Sequence, residues 1–217
     1  LSRTQTPFGA AKWLKGENGI ARITIPREDV SLGAMSLVLY SNRDIGGGIS
    51  SYEVVHQIAK QRSSADGRDR RFDVTLLING LPIAQIELKQ VTTKDGIYQA
   101  FNQVKKYAEE GVFRNNIFST LQLFVVSNEQ TTRYFANALP KNMHRKLLFS
   151  WRTKNNQKVE NLYEFCKQVL NIPDAHRLIA DYTIVSEDQD NKILMVLHPY
   201  QIHAIESIRE ASKTGES

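Results

Sequence analysis

Apolar and polar positions alternate along several short stretches of the chain, which predicts strands, and recur every three or four residues along others, which predicts helices. The strands are predicted at 21–25, 37–40, 72–78, 81–89, 121–127, 132–135, 182–185 and 192–197. The helices are predicted at 52–61, 97–110, 159–170, 173–180 and from 198 through 208. This succession predicts an α/β fold in which helices flank a mixed central β-sheet.

The most informative stretch is a predicted hairpin whose two strands meet at Asn79-Gly80, a dipeptide that favours a two-residue β-turn. Three charged residues interrupt its apolar runs, namely Asp73 in the first strand and Glu87 and Lys89 in the second. A buried charge costs several kcal/mol unless it is paired, hydrated or bound to a metal. These positions are therefore candidates for chemistry or for a structural ion-pair cluster.

Whether the three charges can act together depends on the register of the hairpin. Side chains alternate along a strand, so Gln85, Glu87 and Lys89 share one face. A strict two-residue turn would place Asp73 on the opposite face. One extra residue, in the loop or in a bulge farther along, brings Asp73 to the face of Glu87. A metal site here therefore requires a departure of one residue from the simple register.

Two carboxylates and a lysine on one face suit metal-assisted hydrolysis of a phosphodiester. Mg²⁺ prefers oxygen ligands, which Asp73, Glu87 and the Leu88 carbonyl could supply. A bound ion polarises the phosphoryl oxygen and lowers the pKa of a bound water. Lys89 could position that water and offset the charge that develops on the phosphate. The alternative from the local pattern alone is a salt-bridge cluster at the edge of the sheet.

Asp73 and, after a 14-residue spacing, Glu87-Leu88-Lys89 resemble the PD-(D/E)xK nuclease motif, with Phe72 in place of the proline. The next predicted helix carries Gln103 and Tyr107, which resemble the QxxxY element of the RecB-like branch. Longer stretches between about 70 and 210 resemble the restriction (R) subunit of type I restriction–modification enzymes. The resemblance implies a restriction-endonuclease-like core in which Gln103 and Tyr107 support the catalytic residues.

The same resemblance implies a larger assembly. It implies Mg²⁺-dependent cleavage of double-stranded DNA, coupled to an ATP-driven translocase and to methyltransferase (M) and specificity (S) subunits. It assigns 1–190 to the endonuclease domain, with a core at about 50–140, and 191–217 to the start of the motor, where Gln201 would contact adenine. The sequence has no GxxxxGK[ST] phosphate loop. A RecB-like repair nuclease and an inert DNA-binding or coupling module are the alternatives.

Composition is that of an ordinary globular protein, and the net charge of +5 is compatible with a polyanionic partner. Two basic segments, 62–71 and 141–158, are either solvated loops or contacts to nucleic acid. The candidate DNA contacts are Arg68, Arg70, Arg71, Lys105 and Lys106. Cys166 is the only cysteine, which excludes an internal disulfide, and it is expected to be a buried, unreactive thiol. No apolar run reaches 18 residues, so we expect a cytoplasmic protein.

Residues 1–50 show no counterpart of the helix that usually precedes the nuclease sheet in such enzymes. The acidic helix residue that can assist the metal in RecB-like enzymes therefore has no clear match. Glu53 is the nearest candidate, and its alternative role is to interact with the dipole of the helix predicted at 52–61.

Overall fold

A computed structural model of the chain describes residues 5–60, 69–188 and 191–215, and it confirms the predicted α/β architecture. The helices are α1 (Pro7–Lys15), α2 (Gly96–Glu109), α3 (Leu162–Phe165, extended by a π-helical turn over Cys166–Leu170), α4 (Asp174–Ala180) and α5 (Pro199–Thr214). The strands are β1 (Ile20–Pro26), β2 (Ala34–Ser41), β3 (Tyr52–Lys60), β4 (Arg70–Ile78), β5 (Leu81–Leu88), β6 (Leu123–Ser127), β7 (Thr132–Ala136), β8 (Trp151–Arg152), β9 (Lys158–Val159), β10 (Thr183–Asp188) and β11 (Asn191–Val196).

The central sheet has five strands in the order β3-β4-β5-β6-β7. Strands β5 and β6 run parallel and the other neighbours run antiparallel, so the sheet is mixed. Two hydrophobic clusters form the core. In one, α2 supplies Phe101 and Val104 to a group that includes Phe124 of β6. The other includes Leu14 of α1 and Ile202 of α5, so residues from both ends of the chain pack around the sheet.

The β4–β5 hairpin departs from a simple register by one residue, as the sequence predicted for a functional site. Ile78 pairs with Leu81 across the Asn79-Gly80 turn, but the register shifts beyond Leu77, and Val74 faces Ile86. Continuing this register places Asp73 opposite Glu87. The extra residue lies at Pro82-Ile83, where proline has no N–H to donate to β4.

The carbonyls of the bulge are bound from the other side. The Thr120 hydroxyl donates to the Pro82 carbonyl at 2.8 Å, and the Gln122 N–H donates to the Ile83 carbonyl at 2.8 Å. The segment that leads into β6 therefore supplies hydrogen-bond donors to both carbonyls of the bulge.

The helix predicted at 52–61 is wrong, because these residues form β3, the edge strand beside β4. The apolar spacing of Val54, Val55 and Ile58 fits either structure in so short a run. Their β-branched side chains and the open edge of β4 favour the strand. Val54 remains 69 % exposed and so does not face a core as the helical interpretation required.

The amino-terminal region contains a helix that the sequence analysis did not find. Thr6 caps α1 by accepting a hydrogen bond from the Gly9 N–H at 3.0 Å, and Pro7 occupies the first turn. Its sequence contains no acidic residue, so α1 cannot supply a carboxylate to a metal.

The carboxyl-terminal elements pack onto the same body as the sheet. Strands β10 and β11 form a hairpin, and Leu194 and Val196 of β11 belong to the cluster that contains Leu14. The division at 190 stays a prediction; residue 190 lies outside the described residues, and the division would separate β10 from β11, which pair with each other. Cys166 is half-buried, and burial raises the pKa of its thiol. No helix among the described residues is long and apolar enough to cross a membrane.

A substitution of Asn79 tests how much the hydrogen bonds from the hairpin turn to neighbouring segments stabilise the fold. Its side chain accepts from the Ser51 N–H at 2.8 Å and donates to the Leu39 carbonyl at 3.1 Å. Asn79→Gly keeps a residue that tolerates the observed φ of 51° but removes both bonds. We expect the free energy of unfolding to fall by about 1–2 kcal/mol in urea denaturation. Asn115→Gly is the control, since Asn115 has a similar φ of 55° and is exposed. Equal losses in both variants would contradict the tethering role.

Candidate active site

Asp73 and Glu87 face each other from adjacent strands of the central sheet. Asp73 is half-buried, and its Oδ2 accepts a hydrogen bond from the Leu88 N–H at 2.7 Å. That bond holds the aspartate carboxyl against the end of β5. Glu87 is only 1 % exposed, and neither of its carboxylate oxygens has a hydrogen-bond donor. The register shift therefore produces a pair of carboxyl groups, one of them buried with unused oxygens.

Lys89 follows at the end of β5 and is held by α2. Its Nζ lies 3.7 Å from Glu87 Oε1 and donates a hydrogen bond to Gln103 Oε1. Gln103 Nε2 in turn donates to the Tyr107 hydroxyl at 2.5 Å. The Lys89 N–H donates to the Ser127 carbonyl at 2.9 Å, which fixes the backbone of the lysine to β6. The structure thus brings together the five side chains that the sequence proposed as catalytic.

The candidate DNA contacts are more scattered. Arg70 forms two hydrogen bonds with Glu110, and its guanidinium lies 5.4 Å from the centre of the Tyr107 ring. Arg71 is exposed and donates to the Gln57 side chain. Of the two α2 lysines, Lys106 is exposed and Lys105 is half-buried, while Arg68 lies outside the described residues. Their contacts with DNA stay predictions.

Burial controls the charge state of the site. Burial, reinforced by the neighbouring Asp73 carboxylate and opposed by Lys89, raises the pKa of Glu87 to about 8. Burial also raises the pKa of Tyr107, against the effect of its hydrogen bond with Gln103. In the absence of a cation, Glu87 is therefore mostly protonated at neutral pH.

The sequence analysis placed Gln85 on the face of Glu87, but it missed two features of the site, the buried partner Thr75 and the close approach of Gly96. Thr75 and Gln85 pair across β4 and β5, next to the carboxylate pair, and both are fully buried. The Thr75 hydroxyl and both polar atoms of the Gln85 amide have no hydrogen-bond partner, so the polar strip continues into the sheet. Gly96 begins α2 beside Lys89: a Cβ there would lie 3.3 Å from Lys89 Cβ. Glycine thus permits the helix to start close to the lysine.

Other candidates lie apart from the carboxylate pair. Glu53 is exposed on β3 and pairs with Leu77, four residues along β4 from Asp73, so it does not supply an acidic helix residue. Gln201 lies in the first turn of α5, where its Oε1 accepts from the His198 N–H at 2.9 Å. Its proposed contact with adenine stays a prediction.

The metal-binding capacity of the site comes from few side chains. Over residues 5–60, 69–188 and 191–215, no group of three or more His, Cys, Asp or Glu side chains is placed to hold a metal ion. Asp73 and Glu87 could hold one together with backbone oxygen and water. That donor set suits Mg²⁺, which keeps several waters when it binds to proteins.

Comparison with known proteins gives a consistent family. Residues 46–143 match the family described as "Type I restriction enzyme R protein N terminus". The chain is 36 % identical, over 162 residues, to the type I restriction enzyme SauCOLORF180P endonuclease subunit of Staphylococcus aureus (strain COL). It is 39 % identical, also over 162 residues, to the SsaAORF53P endonuclease subunit of Staphylococcus saprophyticus. Each alignment covers 74 % of this chain but 17 % of the relative.

A shorter alignment extends the comparison to a different bacterium. The EcoprrI endonuclease subunit of Escherichia coli is 36 % identical over 154 residues, which are 70 % of this chain and 48 % of the relative. The chain therefore spans between about a sixth and a half of the length of these relatives. All the site residues from Arg70 to Glu110 fall within the family match.

The stability of the metal-free chain should depend on pH through Glu87. Its carboxyl keeps a proton in the folded state up to pH near 8 but releases it near pH 4.5 when unfolded. Stability is therefore lost as pH rises through that window. Glu87→Gln removes this loss. The free energy of unfolding of the variant, relative to that of the unsubstituted chain, should therefore rise by on the order of 2–4 kcal/mol between pH 4.5 and 8.5. Urea denaturation in EDTA at several pH values measures it.

Glu187→Gln is the matched control, because it removes a glutamate that should give no pH-dependent change in stability between pH 4.5 and 8.5. A hydrogen bond from Lys12 lowers the pKa of Glu187, so the stability lost on removing that carboxylate develops as pH rises to about 4.5 and stays constant from there to pH 8.5. A difference between Glu87→Gln and the unsubstituted chain that stays constant with pH would contradict the buried, protonated glutamate.

Proposed function

Because the chain belongs to the type I restriction enzyme R protein family, whose N-terminal region it carries, we propose that it is the metal-dependent nuclease domain that cuts double-stranded DNA in such an enzyme. The observation that carries the proposal is the Asp73–Glu87 pair, formed across two strands by a one-residue bulge, with Lys89 beside it. A structural ion-pair cluster would be expected to give both carboxylates hydrogen-bond donors, whereas the Glu87 oxygens have none and the Lys89 ammonium lies 3.7 Å from the nearer one.

The residues present fit a divalent cation. Two oxygens of a buried carboxylate without hydrogen-bond donors, opposite a second carboxylate, form an acceptor set that a hard cation satisfies. We propose Mg²⁺, held by Asp73, Glu87 and the Leu88 carbonyl. When bound, such an ion polarises a phosphoryl oxygen and lowers the pKa of a bound water.

The other residues act on position and charge. Lys89 places its ammonium next to Glu87, where it can orient the attacking water and offset the negative charge that grows on the phosphate. Gln103 accepts from the ammonium and donates to Tyr107, so the lysine keeps one orientation instead of rotating freely. The Asp73 carboxyl is held by the Leu88 N–H through Oδ2, which leaves its other oxygen to bind the cation.

The proposal for the whole enzyme extends beyond this region. We propose that cleavage is coupled to ATP-driven DNA translocation by the rest of the R protein, with Gln201 near its adenine site. Methyltransferase and specificity subunits would bind the R protein and select the DNA. The exposed Arg71 and Lys106, with Lys105, would contact the phosphates of the duplex, and Arg68 belongs to the same proposal.

Substitution of the central residues tests the nuclease function. In the assembled enzyme, Asp73→Asn and Lys89→Ala should each reduce Mg²⁺-dependent nicking of covalently closed plasmid by at least about 100-fold, because each removes a group that acts on the reacting phosphate. Asp174→Asn and Lys12→Ala change the same residue types in surface ion pairs elsewhere and should retain activity. Full nicking by both site variants would favour an inert coupling module. Nicking that needs neither ATP nor partner subunits would favour a RecB-like repair nuclease.

Cation binding should release a proton from Glu87. The pKa of Glu87 is about 8 without a cation. A bound cation that requires the carboxylate therefore displaces close to one proton per site at pH 7, and only a small fraction of a proton at pH 9, where the carboxyl is already mostly ionised. Calorimetric titration with Mg²⁺ in buffers of different ionisation enthalpy measures the number released. Glu87→Gln should release none. Binding at pH 7 without proton release would contradict Glu87 as a ligand.

A further inference from the structure

A salt bridge between β4 and the end of α2 adjoins the candidate site. Arg70 Nε donates to Glu110 Oε2 at 2.7 Å, and Nη2 donates to Oε1, so the pair is bidentate. The side chains are 13 % and 33 % exposed, which shields the pair from much of the solvent. Arg70 opens β4 three residues before Asp73, and Glu110 immediately follows the last residue of α2.

The pair is connected to the catalytic lysine by a continuous series of contacts. The Arg70 guanidinium lies 5.4 Å from the centre of the Tyr107 ring. The Tyr107 hydroxyl accepts from Gln103, and Gln103 accepts from the Lys89 ammonium. Each member of the series thereby limits the orientation of the next, from the start of β4 to the ammonium.

We propose that Arg70 and Glu110 are positioning residues for the cleavage reaction, holding Tyr107 and Gln103 so that the Lys89 ammonium stays beside Glu87. This inference rests on the proposed nuclease function. The last turn of a helix is where its backbone hydrogen bonds end, so a bidentate tether to β4 there fixes the side chains one and two turns before it. A displacement of about 1 Å at a reacting group can cost on the order of 100-fold in rate.

The competing role for Arg70 is a contact with a DNA phosphate. The two roles differ in what restores activity. A positioning pair depends on the attraction between residues 70 and 110, whichever residue carries the positive charge. A phosphate contact depends on a cation at 70 alone, and its loss weakens DNA binding and its dependence on salt.

The experiment is a charge-reversal cycle in the full-length R protein, assembled into its enzyme. Nicking of plasmid is measured for Arg70→Glu, Glu110→Arg and the double variant. Each single variant should lower kcat by about 10–100-fold with little change in KM, and the double variant should recover at least about fivefold over either. Glu110→Gln, which removes the charge but keeps the shape, should give a smaller loss of kcat. Arg22→Glu, on the exposed surface of β1, is the matched control.

The outcomes separate the two hypotheses. A double variant with a kcat as low as that of Arg70→Glu, together with a slope of log affinity for DNA against log salt concentration that is smaller by about one, identifies a phosphate contact and overturns the proposal. Unchanged kcat in Arg70→Glu, Glu110→Arg and Glu110→Gln also overturns it. If the singles fail to fold, as thermal denaturation would show, the kcat of Glu110→Gln decides. Absence of metal-dependent nicking by the unsubstituted enzyme would instead contradict the nuclease function, and the positioning role with it.

Discussion

The candidate site depends on one extra residue in the β4–β5 pairing. Because side chains alternate, a regular hairpin through Asn79-Gly80 would put Asp73 and Glu87 on opposite faces of the sheet. The bulge at Pro82-Ile83 moves them to one face without changing the tight turn. Pro82 cannot complete the regular ladder, and Thr120 and Gln122 bind the carbonyls of the bulge. The path of the chain into β6 is therefore part of what builds the site.

Placing a carboxylate in the middle of a sheet has an energetic consequence. Glu87 is buried between strands whose other residues are mostly apolar, and its oxygens gain no hydrogen bond in return. The protein therefore folds with a group that costs stability when it is ionised. A cation at this position offsets that cost, so metal affinity and folding stability depend on the same interaction. Because the carboxylates lie on strands, their separation varies less than it would on loops.

The sequence was most informative where the signals were local. The Asn79-Gly80 turn, the charges in the hairpin and the apolar stripe of α2 are short-range features, and alternation alone showed that a one-residue shift was needed. It was least informative where tertiary contacts decide. Residues 52–60 form a strand because they pair with the edge of β4, and a local sequence pattern does not encode that pairing. Arg70 looked like a loop cation because its partner, Glu110, lies 40 residues away. Thr75 and Gly96 are uncharged and match no motif, so only the packed structure shows that they lie beside the carboxylate pair and Lys89.

Phe72 explains how the carboxylate pair and the helix form one unit. It replaces the proline of the nuclease motif, and its side chain is fully buried. Its ring lies 5.8 Å from that of Tyr107 and 4.9 Å from that of Phe118, so the residue before Asp73 packs directly against α2 and the segment that follows it. The hydrophobic contact thus positions β4 against the helix on one side of Tyr107, while Arg70 acts on the same ring through its charge. Asp73 and Lys89 approach the site from different strands, yet both depend on the placement of Tyr107. The helix is therefore as much a part of the site as the two strands that carry its carboxylates.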